Sequence, residues 1–402
     1  MTKASYICKF INDFPDTWEE QLKNKRIIIK KEGPLAIFNY GIKADFRDSI
    51  VQEARGIIIN YETKEVVCWP FRKFGKYNDS YADKIDWSTA KVLEKIDGSI
   101  IKLWFNKLEG KWIFSTNGII LAENAHIRRD DNRSFLDLII ATDQYRLLKQ
   151  YIDFGYLDKN TTYIFELVSP ENVICINYHK DVLFHIGTRN NLTGEESSYT
   201  LSNIPHPREY CLNNLEECIT ASNFANSIGG GKISACTNEG FVVVDANFNR
   251  IKIKTPIYSI IHNIVSGSDV SRKLLITLIH DKRIDIESMC EEFPDIAHIM
   301  RYYSFKYDEL IYQMNLFINK SREIYKRLNK DRKAFSSRIP NCKFTNIAYM
   351  AIDNDYDLFT ILERTRKGCI GTIVSMIPKY ESEKFVFDWN ETDKEDNNND
   401  NN

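Results

Sequence analysis

Short apolar runs broken by turn residues dominate the first 260 positions, and the pattern predicts strands more often than helices. Arg26-Ile27-Ile28-Ile29-Lys30 and Leu35-Ala36-Ile37-Phe38-Asn39-Tyr40 flank Glu32-Gly33-Pro34 and read as two strands around a turn. Ala54 to Asn60 reads as a buried strand with an Arg55-Gly56 pair at its mouth, and a hairpin leads on to Val66-Val67-Cys68-Trp69-Pro70. Two more strand-like runs, 90–94 and 100–105, enclose Lys95-Ile96-Asp97-Gly98-Ser99, and the Asp-Gly pair predicts a tight hairpin turn. Strands follow around Trp112-Ile113-Phe114, Tyr163–Val168, Val182–Arg189 and Asn238–Asp245. Residues 121–151 carry helical spacing, and 190–235 look irregular, with Gly229-Gly230-Gly231 as a flexible turn.

The period changes after residue 258. Runs at 271–280, 295–302 and 307–333 have helical spacing, and no series of short alternating strands with glycine-rich turns follows them. The expected organisation is a mixed domain over 1–258, an all-helical domain over 259–387, and an acidic, asparagine-rich tail over 388–402 that should be disordered.

Composition narrows the class without naming the partner. The 402 residues are 43% apolar and 27% charged, a soluble globular profile. No apolar run approaches a membrane span, and Met1-Thr2-Lys3-Ala4-Ser5 opens no signal peptide, so an intracellular, cytoplasmic protein with no membrane partner is expected. The nine cysteines are scattered without a Cys-x-x-Cys pair, which argues against a disulfide framework or a zinc site. The formal charge is −2, but the tail holds six acids and one lysine, so residues 1–387 carry 53 basic against 50 acidic groups.

Several residues point to chemistry on phosphates. Lys95 beside a tight turn at a pocket mouth suits a held nucleophile. Glu166 lies inside the apolar strand Tyr163-Ile164-Phe165-Glu166-Leu167-Val168, where an unpaired carboxylate costs several kcal/mol and so requires a ligand, a metal or a basic partner. In Arg250-Ile251-Lys252-Ile253-Lys254, strict alternation puts both lysines on one face, about 7 Å apart. Like charges that close repel unless an anion lies between them, and a phosphate chain is the natural one.

Together these stretches resemble the ordered motifs of the covalent nucleotidyltransferases, the superfamily of polynucleotide ligases and mRNA capping enzymes. The motifs are Lys95-Ile96-Asp97-Gly98, Phe165-Glu166, Gly187-Thr188-Arg189, Glu239-Gly240-Phe241-Val242 and Lys252-Ile253-Lys254. Within that superfamily the chain is similar to the RNA ligase 1 family typified by the phage T4 enzyme, which is compatible with a virus- or phage-encoded origin. The likeness is carried by Ile37-Phe38-Asn39-Tyr40, Arg55-Gly56-Ile57, Lys73-Phe74 and the spacing from Lys252 to Tyr258, and it is clear over about 35–260.

The resemblance implies an α+β nucleotidyltransferase domain of ATP-grasp-like antiparallel sheets followed by an all-helical domain. It implies ATP-dependent joining of RNA 5′-phosphate and 3′-hydroxyl ends through a lysyl-AMP intermediate and an adenylylated RNA, with ATP and Mg²⁺ as cofactors. Broken tRNA is the implied substrate, repaired alongside a separate end-healing kinase-phosphatase. Lys95 would be the nucleophile. Tyr40, Arg55 and Lys73 would contact the nucleotide, Glu166 its ribose, Glu239 the Mg²⁺, and Lys252 and Lys254 the α-phosphate; Tyr258 would support RNA ligation. Desolvation and nearby positive charge should push the Lys95 amine below its ordinary pKa. Asp285 aligns with a family acidic residue that touches a metal, although the residues around it favour a solvated aspartate.

Three positions depart from the family pattern. Asn117 stands where a basic residue is usual, Gly75 replaces an aromatic that often follows Lys73-Phe74, and Gly187 supplies no aromatic stacker. The alternatives are an mRNA guanylyltransferase, which the missing β-barrel argues against, and a non-catalytic RNA-binding relative, which intact Lys95, Glu239 and Lys252 argue against. In the helical domain, nine basic and two acidic residues between Lys320 and Lys343 suggest a phosphate-tracking face containing Lys326, Lys330 and Lys333.

Overall fold

The computed structural model describes residues 4–127, 130–225, 227–228, 232–233, 237–265, 270–282 and 284–380. The glycine run 229–231 and the acidic tail lie outside the described residues. The chain divides into two compact units, Met1–Ser266 and Gly267–Asn402.

In chain order the first unit contains strands β1 (Ile27–Glu32), β2 (Leu35–Tyr40), β3 (Arg55–Asn60), β4 (Glu65–Cys68), β5 (Lys91–Glu94), β6 (Ser99–Asn106), β7 (Lys111–Thr116), β8 (His126–Ile127) and β9 (Asp130–Ser134). These are followed by β10 (Thr161–Val168), β11 (Val182–Asn190), β12 (Glu196–Ser197), β13 (Glu209–Tyr210), β14 (Ser227–Ile228), β15 (Lys232–Ile233), β16 (Gly240–Val244) and β17 (Arg250–Lys254). Its helices are α1 (Tyr6–Asp13), α2 (Trp18–Asn24), α3 (Ser49–Glu53), α4 (Phe135–Ala141), α5 (Asp143–Asp153), α6 (Leu215–Phe224) and α7 (Pro256–Val265).

Three antiparallel sheets carry the architecture, in the orders β1-β2-β3-β4, β12-β11-β10-β6-β7 and β13-β5-β16-β17. Period-two alternation gives each sheet an apolar face to cover. In the first, Phe38 and Ile57 pack beneath Ile7, Ile11, Trp18 and Leu22 of α1 and α2. In the second, Ile101, Leu103 and Phe165 pack against Leu138, Ile139 and Leu148 of α4 and α5. Its opposite face, through Trp104 and Ile113, meets Ile37 and Ile58 of the first sheet. The third packs Val92, Phe241, Ile251 and Ile253 against Cys218 of α6. Each such buried side chain contributes about 1.5–3 kcal/mol of transfer free energy.

Two expectations about this unit change. The Lys95–Gly98 segment is no hairpin turn: β5 belongs to the third sheet and β6 to the second, so the segment crosses between sheets. The helical reading of 121–151 holds only from Phe135, because Ser134 and Asp137 form a capping box that fixes the helix start, and the preceding residues are a short 3₁₀ turn and extended pieces.

The second unit is helical throughout its described residues: α8 (Val270–His280), α9 (Ile286–Glu292), α10 (Pro294–Arg327), α11 (Arg332–Arg338), α12 (Thr345–Ile352), α13 (Leu358–Glu363) and α14 (Gly368–Met376). The two runs expected at 295–302 and 307–333 form one 34-residue helix that ends at Arg327. Asn329 and Lys330 take left-handed backbone angles (φ 48° and 62°), and Asp331 then caps α11. Lys326, Lys330 and Lys333 are therefore exposed but do not share a helix face. Arg322 donates to the carbonyls of Ala351, Asn354 and Tyr356, so it staples helices rather than facing solvent. Among the described residues, no helix is long and apolar enough to cross a membrane, and eight cysteines are free.

Candidate active site

Strand register assembles the site. β5 pairs with β16 so that Glu94 lies opposite Phe241, and β16 pairs with β17 so that Gly240 lies opposite Lys254. The ends of three neighbouring strands thus present Lys95, Glu239 and Lys254 at one place, and the Lys95 N–H donates to the Gly240 carbonyl at 2.9 Å. Glu239, with 3% of its side chain exposed, accepts from Lys95 Nζ at 2.7 Å and pairs with Lys254 Nζ at 2.9 Å.

The crossing segment is pinned from the other side. Asp97 Oδ2 accepts from the backbone N–H groups of Cys175 (2.9 Å) and Ile176 (2.8 Å), and its Oδ1 accepts from the Tyr258 hydroxyl at 2.7 Å. A side chain at position 98 would place Cβ 2.4 Å from the Leu167 carbonyl oxygen, so only glycine lets this segment lie against β10. Lys95 is consequently held at the gap between two sheets.

The electrostatics of the pair run against the expectation for Lys95. Burial alone would depress its ammonium, but the carboxylates of Glu239 and Glu166 outweigh burial and hold its pKa above the ordinary value. Conversely, burial would raise Glu239, and the charges of Lys95 and Lys254 hold it below the usual carboxylate range. Glu166 is pushed up to about 7, first by burial and then by Glu239 and Asp97, against the pull of Lys95 and Arg55.

Lys252 is different from its neighbour two residues on. Among the described residues it has no carboxylate within ion-pair distance; its ammonium lies 5.9 Å from the Phe74 ring centre. Burial, reinforced by Lys73, Lys95, Lys254 and Arg55, pushes it down to about 6. Arg55 and Lys73 also meet rings rather than acids: Arg55 lies over Phe74 at 5.4 Å, and Lys73 lies over Tyr40 at 5.2 Å and Phe46 at 5.1 Å. Cations without counter-charges around a half-buried lysine make an anion site.

Two cavities meet at Lys95. One, about 800 Å³ including space open to solvent, is lined by Phe71, Phe74, Ile186 and Val242 together with polar groups such as Ser198 and Arg250. The other, about 1160 Å³ and more polar, is lined by Tyr40, Asn117, Glu239, Tyr258 and His262. Arg55, Lys95 and Glu166 border both. The first cavity shows where an aromatic wall comes from when position 187 is glycine. A Cβ on Gly187 would meet Phe71 Cζ at 2.7 Å, so the absent side chain makes room for the Phe71 ring, with the Arg250 guanidinium 4.1 Å from the ring centre.

Not every residue singled out from the sequence reaches this place. Arg189 is buried and donates to the carbonyls of Pro70 and Gly194, a structural task. Asp285 belongs to the second unit and caps α9, accepting from the Ser288 N–H at 3.3 Å. Among the described residues, no three His, Cys, Asp or Glu side chains gather to hold a metal. Phe71 and His262 were not separated from the surrounding pattern by sequence reading. Phe71 stands in the aromatic-basic stretch 71–77, whereas His262 follows Tyr258 by one helical turn and stacks on it at 5.7 Å without any motif to mark it.

The RNA ligase family model of the T4 RNA ligase 1 type matches residues 53–258, a span that contains Arg55, Lys95, Glu166, Glu239, Lys252 and Lys254 but not Tyr40 or His262. The chain belongs to this RNA ligase family. A protein of Autographa californica nuclear polyhedrosis virus, provisionally named a bifunctional polynucleotide kinase/RNA ligase, is 25% identical over 390 residues, covering 91% of this chain and 52% of its own length. The RNA ligase of Rhodothermus phage RM378 is 23% identical over 219 residues, 46% of this chain and 48% of that protein. The chain spans about half the length of the curated relatives it matches. An archaeal ATP-dependent RNA ligase structure matches with a TM-score of 0.37 at 12% identity, covering 67% of this chain and 64% of that one.

The isolated state of Lys252 leads to a measurable expectation. Its amine is mostly neutral at neutral pH, and a bound phosphate would favour the charged form and raise the pKa. Nucleotide binding above about pH 6 should therefore take up a proton. Affinity gains its full contribution from this group below the free pKa and loses it as pH rises through the bound one. Calorimetric titrations of ATP in two buffers of different ionisation enthalpy should show net uptake for wild type and much less for Lys252→Met. Equal proton uptake by the two proteins would place the anion elsewhere.

Proposed function

We propose that this chain is an ATP-dependent RNA ligase that joins a 5′-phosphate to a 3′-hydroxyl in three steps, on a nucleotidyltransferase core of ATP-grasp-like sheets. The observation that carries the reading is Lys95 fixed between two cavities, beside a carboxylate and a set of unpaired cations. In the first step the neutral Lys95 amine attacks the α-phosphorus of ATP; the N–P bond forms, the bond to pyrophosphate breaks, and pyrophosphate leaves. Glu239, 2.7 Å from Nζ, holds the amine in place, and the ammonium must lose its proton to solvent before it attacks, because a carboxylate held below its ordinary pKa is too weak a base to take it. Lys252, Lys254 and Arg55 stabilise negative charge as it builds on the phosphates. In the second step AMP passes to an RNA 5′-phosphate, and in the third the 3′-hydroxyl displaces AMP.

The donor set fits Mg²⁺ arriving with a nucleotide rather than a resident metal cage, because magnesium takes one or two carboxylates together with substrate phosphates and water. Glu239 is the carboxylate that would hold it, and the ion would supply charge neutralisation at the phosphates. In the free protein Glu239 Oε2 is engaged by Lys95 and Oε1 by Lys254, so freeing Oε2 would also release Lys95 from the partner that raises its pKa.

The cavity walled by Phe71, Ile186 and Val242 suits a purine, and the more polar one suits RNA ends. Residues 259–387 are assigned to RNA choice, with broken tRNA as substrate and an end-healing kinase-phosphatase as partner. The motif context and the kinase named in the viral relative support this assignment. Labelled ATP and GTP offered separately test the nucleotide, and RNA with 5′-phosphate and 3′-hydroxyl ends tests the joining. Labelling by ATP and sealed product are expected; labelling by GTP would favour a guanylyltransferase.

A further inference from the structure

Lys102 lies in the middle of β6, in the apolar run Ile100-Ile101-Lys102-Leu103-Trp104, and it is completely buried. Period two puts it on the same face as Trp104, which packs toward the first sheet near Ile58 and Cys68. Among the described residues no carboxylate lies within ion-pair distance of its ammonium. Its hydrogen-bond acceptor is the backbone carbonyl of Gly56. A lysine buried on those terms is costly, and burial pushes its pKa down to about 8.

Gly56 is an uncommon acceptor. β2 pairs with β3 through Phe38 with Ile57 and then Asn39 with Arg55, so Gly56 is the extra residue of a bulge. Its φ is +81°, and a Cβ there would meet the Asn117 carbonyl oxygen at 2.6 Å, Asn117 Oδ1 at 2.9 Å and Lys102 Nζ at 3.0 Å. Bulges bend a strand and re-aim the neighbouring side chain. Here the neighbour is Arg55, whose guanidinium borders both cavities and touches Phe74.

We propose that Lys102 is a positioning residue for nucleotide binding: its ammonium clamps the Gly56 carbonyl, holds the bulge, and thereby aims Arg55 at the border of the two cavities. This inference rests on the reading of those cavities as the nucleotide and RNA-end sites. Lys102 itself has no exposed surface and lines neither cavity, so its effect must pass through a neighbour, and Arg55 is the neighbour that borders both.

A double-mutant cycle on nucleotide affinity tests that route. Arg55→Ala and Lys102→Met should each weaken ATP binding about tenfold or more, the scale of one charge-assisted hydrogen bond. The double variant should be scarcely weaker than Arg55→Ala alone, because the clamp has nothing left to aim. Thermal melts run in parallel separate this from general destabilisation, which would lower affinity regardless of residue 55. Should the methionine protein not fold, Lys102→Gln, whose polar head falls one bond short of the lysine nitrogen that holds the Gly56 carbonyl, enters the same cycle. Wild-type protein that gains no AMP would strike the ligase reading itself. A normal wild-type adduct with additive losses, or with Lys102 variants binding ATP like wild type, would overturn the clamp.

Discussion

Lys95→Ala should take up no AMP from ATP and Mg²⁺ under conditions in which the wild-type protein gains one, read by intact-protein mass spectrometry. The adduct should be labile in acid and stable in base, as a phosphoramidate is. The two neighbouring lysines have different surroundings. Lys254 shares the Glu239 carboxylate but lies over the Tyr258 ring at 4.4 Å, and Lys252 faces Phe74. Lys95 alone among these lysines borders both cavities, with Arg55 and Glu166 beside it. An adduct that persists in the alanine protein would put the nucleophile elsewhere and remove the basis for every role assigned around it.

Glu239→Ala should reduce the rate of adenylylation by more than about a hundredfold, because removing one preorganised charge from a reacting site costs roughly 2.7–4 kcal/mol. Two effects oppose each other in this variant. Removing the carboxylate lowers the pKa of Lys95 and so increases the neutral, nucleophilic fraction. It also leaves Lys95 and Lys254 as like charges without the anion that holds both, and it removes the carboxylate suited to Mg²⁺. The second effect acts on geometry and charge together and should prevail at all pH values. Rates of AMP incorporation measured across pH would decide: a near-normal or faster variant would mean that Glu239 merely restrains the lysine.

The strands that build the site were legible in the sequence because their apolar runs are short and bounded by turn residues. Strict alternation in Arg250–Lys254 correctly gave a buried Ile251-Ile253 face and an opposite face with two lysines. What alternation does not contain is register. That Lys254, and not Lys252, meets Glu239 follows from Gly240 lying opposite Lys254 in the sheet. The Lys95–Gly98 segment misled for a related reason, since Asp-Gly is a hairpin signal and nothing local reports that the flanking strands belong to different sheets.

Electrostatics were legible in sign only where the partners were known. From the sequence, the cations near Lys95 appeared to dominate; in the structure Glu239 is at hydrogen-bond distance and Glu166 adds to it, so the shift reverses. Lys102 carried the same signal as Glu166, a charge interrupting an apolar strand. Its acceptor is a backbone carbonyl at a bulge, which no side-chain pattern reveals. In the helical unit the basic stretch 320–343 gave correct composition but wrong geometry, because α10 ends at Arg327, before the second lysine, and Asn329 and Lys330 take left-handed backbone angles.

The central claim is that AMP on Lys95 is an intermediate and not a side product, and one chase experiment addresses it directly. Wild-type protein is charged with labelled ATP, stripped of free nucleotide, and mixed with Mg²⁺ and RNA bearing 5′-phosphate and 3′-hydroxyl ends. The account predicts loss of label from the protein, transient appearance of label on the RNA 5′ end, and sealed RNA with free AMP in amounts that match the starting adduct. Label that stays on the protein while RNA is sealed by freshly added ATP would contradict it.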